Sequence, residues 1–175
     1  MTENSTTERL LFPELFDKPA VLKVDQRQGS SDGGALLLKA SEQRYGLLER
    51  MVHCLFDPRQ AGKVDHTLHD LLAQRVFSLA GGYPDANDAA CLAGDPIHKM
   101  LLDRDPIKGL DLASQPTLSR FENFVGPKQL YRQGESLAQG VIARHHRSGL
   151  HRRSHARGAA VIVSTATTIT RVIFR

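Results

Sequence analysis

Apolar residues recur at helical spacing in three long stretches of the chain. Between 35 and 56 (ALLLKASEQRYGLLERMVHCLF), Leu36, Leu37, Ala40, Tyr45, Leu48, Val52 and Leu55 repeat turn by turn, with Gly46 as a break. Asp57-Pro58 ends this helix, because proline disfavours helical geometry in the residue before it. Residues 67–80 (TLHDLLAQRVFSLA) predict a strongly apolar helix, capped by Thr67 or Asp65 and stopped by Gly81-Gly82. Residues 128–147 carry Leu130, Leu137, Val141 and Ile142 on one broad face, a helix about 30 Å long at ~1.5 Å per residue. Ser114-Gln115-Pro116-Thr117 opens a shorter helix that runs to about Phe124 and is broken by Gly126-Pro127. Short helices are expected around 85–93 and 96–103.

Period-two alternation is rarer. Residues 20–25 (AVLKVD) predict one short strand, followed by a glycine-rich turn (QRQGSSDGG). Residues 1–18 read as a leader that docks Leu10, Leu11, Phe12, Leu15 and Phe16. Residues 159–174 (AAVIVSTATTITRVIF) are rich in β-branched side chains and favour strand, yet the one other clear strand the sequence predicts is at 20–25. The C-terminal end therefore reads as cut off, and the expected fold is mainly α.

Composition narrows the class without changing this picture. The chain has 175 residues, 41% hydrophobic and 24% charged, as in globular proteins. No apolar run reaches the roughly 18–20 residues of a membrane span, and the first residues lack the basic and apolar regions of a secretory signal. A cytoplasmic protein without a membrane partner is expected. Cys54 and Cys91 lack metal or redox spacing and read as free thiols.

Charge is uneven. The net charge is +4, but residues 136–175 hold seven arginines and no Asp, Glu or Lys, so the preceding body carries −3. A basic end is a common footprint of a nucleic-acid partner, and equally of a solvated tail.

No phosphate-binding loop, dinucleotide fingerprint or nucleophile elbow is present. Asp85, Asp88, Asp95, Asp103, Asp105 and Asp111 cluster, but Asp85, Asp95 and Asp105 sit beside Pro or Gly, where carboxylates cap short helices. His145, His146, His151 and His155 lie among arginines, a poor setting for a metal cation. Arg120 and Asn123 are three apart and share a helical face, and Arg and Asn are the side chains that read guanine and adenine edges. The same residues also suit a plain surface over a phenylalanine core.

Several strings together resemble a known family: SSDGG at 30–34, DPRQ at 57–60, DLLAQRV at 70–76, GYPDANDA at 82–89 and LASQPTLSRFEN at 112–123. Over about residues 16–147 they resemble the N-terminal half of bacterial insertion-sequence transposases with a DDE catalytic core, of the IS-thirteen-eighty type. The resemblance implies a helical DNA-binding region at 19–147, followed by an RNase H-like α/β domain of which only a C-terminal stub is present. In that family three carboxylates bind divalent metal, Mg2+, for strand cleavage and transfer. The first acid is expected just after the arginine-rich segment, where this chain reads VIVSTATTITRVIFR without Asp or Glu. No catalytic residue and no metal ligand carries over.

A one-base shift of the codons for residues 163–170 (VSTATTIT) is compatible with an apolar-Asp-x-Asp-Asp-Asp string. A frameshift between about His146 and Ala160 is therefore expected, making 148–175 an aberrant tail. The expected function is DNA binding at transposon ends without catalysis or a cofactor of its own. The candidate contacts are Arg120, Asn123, Lys128, Arg132, Arg144, Arg147, Arg152 and Arg153. The alternatives are a non-enzymatic partner that binds and inhibits full-length transposase, or a second copy of itself, through 67–80 and 128–147, and a non-functional relic.

Overall fold

The computed structural model describes residues 8–9, 21–22 and 29–147. Two short strands, β1 (Glu8–Arg9) and β2 (Val21–Leu22), pair antiparallel, with Glu8 opposite Leu22. The strand expected at 20–25 is therefore two residues long here, and its partner comes from the stretch read as a leader. The rest of the described chain is helical: α1 (Leu36–Tyr45), α2 (Leu47–Val52), α3 (Leu68–Ala80), α4 (Ala89–Leu92), α5 (Pro96–Leu101), α6 (Gln115–Phe124) and α7 (Pro127–Arg147). The strand expected at 159–174 and the RNase H-like stub lie outside the described residues.

The break at Gly46 has a local cause. Gly46 adopts φ +57, a left-handed conformation that glycine takes without strain, and it ends α1. The Glu42 carboxylate then accepts the first free N–H groups of α2, from Leu47 at 3.0 Å and Leu48 at 2.7 Å. One acidic side chain thus begins the second helix where the first stops.

Helix α3 starts in a full capping box, with Thr67 Oγ1 accepting the Asp70 N–H and Asp70 accepting the Thr67 N–H. It packs against α2, α5 and α6, while α7 lies along α2. Leu71, Leu72, Ala73 and Phe77 fill the centre of the core with Leu36, Leu48, Met51, Leu118 and Leu137. Burying each leucine contributes about 1.5–3 kcal/mol.

The inner face of α7 is Gln133, Leu137 and Ala138, with Leu130 packed against the core. Val141 departs from the expected stripe and is 55% exposed. At its level α7 borders an open groove beside α1 and α2 rather than a packed neighbour.

Candidate nucleic-acid interface

The segment that delivers α6 is tied down before the helix begins. Gln74 of α3 donates from Nε2 to the Ala113 carbonyl and accepts the Ala113 N–H, both at 2.9 Å and both buried. A side-chain amide thereby substitutes for a strand partner and satisfies a buried backbone unit. The Leu112 N–H reaches the Ala93 carbonyl, and Arg104 donates to the carbonyls of Leu110 and Asp111. Ser114 has the extended backbone of a helix cap, but its hydroxyl meets Thr117 Oγ1 instead of a helical N–H.

Helix α6 is then clamped onto α3 by charge. Arg75 Nε lies 2.6 Å from Glu122 Oε1, with both side chains over 90% buried. The contact is an ion pair. Arg75 also donates to the Pro84 carbonyl at 3.0 Å, which fixes the 82–89 turn. Burial pushes the Glu122 carboxyl up; Arg75 pulls it back and Asp85 adds to the rise.

With Leu118, Phe121 and Glu122 turned inward, α6 exposes Pro116, Arg120 and Asn123. Arg120 lines a cleft of about 720 Å³ between α6 and the 57–66 loop. The Asn123 amide donates to the Ser119 carbonyl at 2.8 Å, within its own helix. Two residues separate α6 from α7, whose exposed Lys128 and Arg132 continue the basic surface one turn apart.

Arg144 stands elsewhere. Twelve residues beyond Arg132 it is ~18 Å along the axis and about 120° around it. There its guanidinium lies 3.6 Å from the centre of the Tyr45 ring and bonds the Tyr45 hydroxyl. The arginine holds that phenol below its ordinary value, despite a smaller opposing effect of burial. The Arg147 side chain, Arg152 and Arg153 fall outside the description. The expected contacts therefore divide into a group on α6 and the start of α7, and a separate position at the far end of α7.

The acidic residues serve structure. Asp85 caps the 3-10 turn Ala86–Asp88, and Asp95 caps α5 through the N–H groups of Ile97 and His98. Asp105 accepts from Ile107 and Lys108. Asp103 and Asp111 pair with the buried Lys39 and Lys99. Among the described residues no group of three His, Cys, Asp or Glu is placed to hold a metal ion.

The recognised strings meet one another around α3. Gln74 and Arg75 of DLLAQRV hold Ala113 and Glu122 of LASQPTLSRFEN and Pro84 of GYPDANDA. Asp32 of SSDGG bonds the buried His98 at 2.9 Å. Within DPRQ, Arg59 binds Asp57 at 2.7 Å and then the His66 carbonyl, closing its loop. Sequence reasoning overlooked Gln74, Arg75 and Tyr45. The available signal was two long polar side chains inside an otherwise apolar helical run.

The fold defines a helical domain centred on α3, with Arg120 and Asn123 exposed on the outer face of α6. Residues 12–155 match the family described as transposase DDE domain group 1, and the chain belongs to that family. No curated protein and no solved structure matches it. Among the described residues no helix is long and apolar enough to cross a membrane.

Proposed function

We propose that this chain is the DNA-docking part of an IS-thirteen-eighty-type DDE transposase. It binds transposon ends through the outer face of α6 and the first turns of α7, and it does not cut them. The observation that carries this reading is the orientation of α6. Gln74 and the Arg75–Glu122 pair hold its inner face, and Arg120 and Asn123 project outward beside Lys128 and Arg132. A single helix fits the DNA major groove, about 12 Å wide, and cations flanking it meet the phosphates. Arg144 is not part of this surface.

The missing catalysis rests on the tail. Residues 136–175 hold no Asp or Glu, and the family match stops at residue 155, inside the 146–160 window in which a shift of reading frame would replace an acidic strand. The nucleotide sequence tests this directly: the shifted frame encodes an acidic strand after the arginine-rich segment, and the absence of one refutes the frameshift.

Gel-shift titration against the element's terminal repeats and against random duplex of equal length, at 150 mM salt, tests end recognition. Tighter binding to the repeats, lost in Arg120→Ala, is expected. Equal affinity for both duplexes sinks the assignment.

A further inference from the structure

A second surface lies beside α1, α2 and α7. A groove of about 740 Å³ runs between α7 and the α1–α2 pair. Its floor includes Leu38, Val76, Phe77 and Leu137, and Leu47 and Val141 stand exposed at its margins. Three guanidiniums, from Arg44, Arg50 and Arg144, edge it around Tyr45.

The charge is unbalanced. Among the described residues Glu42 is the only carboxylate lining the groove, and both its oxygens are engaged by N–H groups of α2. Among the described residues no carboxylate pairs with any of the three arginines. Gly140 leaves room for one of them, since a Cβ there would lie 2.5 Å from Arg50 Nη1.

We infer that this groove docks an amphipathic helix of a partner protein, one with Asp or Glu flanking an apolar stripe. The apolar stripe covers Leu47 and Val141, and the acids meet Arg44, Arg50 and Arg144. Tyrosine and arginine beside exposed aliphatic groups are the side chains that anchor protein interfaces. A DNA-binding surface is on average more polar and more positively charged than a protein–protein interface. The inference stands independently of DNA docking at α6.

Selection of displayed random helical peptides on the purified chain tests it, with fluorescence anisotropy of the enriched peptides. Enriched peptides are expected to carry Glu or Asp three or four positions apart beside Leu, Ile or Phe. Val141→Glu and, separately, Arg144→Glu should weaken them about tenfold or more with helical circular dichroism intact, and Arg132→Ala should not. Failure to enrich, acid-free winners, or binding indifferent to both variants overturns the proposal. So does duplex DNA that displaces the peptide and itself loses affinity in Arg144→Glu, which makes the groove a nucleic-acid site. A dimer of the chain dissolved by Val141→Glu assigns the groove to a second copy and likewise overturns it.

Discussion

Arg75 and Glu122 are charged groups placed where water is excluded, and their value lies in being paired. Removing one partner leaves an uncompensated buried charge, which costs about 3–5 kcal/mol. Arg75→Ala should therefore lower the unfolding free energy in urea by roughly that amount, while Arg75→Met with Glu122→Leu should recover much of the loss. Asp32 gives a signature in pH. Burial pushes its carboxyl up, but bonds from His98, Tyr83 and Ser31 outweigh this and set it below the ordinary value of 3.8. A lowered acid stabilises the fold above its unfolded value and loses that contribution as pH falls through the folded one. Asp32→Asn should thus lower the thermal midpoint at pH 7 and flatten its decline below pH 3.8. Glu122, pushed up, works in the opposite sense: its contribution is greatest below 4.5 and shrinks as pH rises through its folded value. None of these partners was legible in the sequence, because Asp32 and His98 are 66 positions apart and no local pattern pairs them.

The helices themselves were largely readable. The observed α3, α6 and α7 begin and end within a residue or two of the expected limits, and the break at Gly46 occurs where the glycine stands. These boundaries are local events, set by Thr67 as a cap, by Pro116 in a first turn and by left-handed glycine. Val141 shows where periodicity stops informing. Its spacing from Leu137 puts it on the inner face, but burial also needs a neighbouring element at that height, and α1 and α2 leave a groove there. Gly140 gives a test of α7. Alanine there gains helix propensity of about 0.5–1 kcal/mol and displaces only the flexible end of Arg50. Gly140→Ala should raise the urea midpoint, and a lowered midpoint would show that the Arg50 approach matters more to α7 than propensity.

For the whole molecule, the division of basic residues between two surfaces makes a prediction about salt. Each phosphate contact contributes about 0.9 to the slope of log affinity against log salt for duplex DNA. Arg132→Ala should reduce that slope by about one, and Arg144→Ala should leave it unchanged, because Arg144 lies on another side of α7 against Tyr45. Equal effects of both variants would merge the two surfaces into one. The sequence by itself determined the helical class, the positions of the helices, the family strings and the absence of Asp and Glu from residues 136–175, since all of these are properties of near neighbours or of residue identity. Only the tertiary structure decided that Gln74 and Arg75 join the strings to one another, which face α6 turns outward, and that Arg144 departs from the remaining cations. Those outcomes depend on side chains far apart in the chain competing for the same buried space, and that competition is settled when the helices pack.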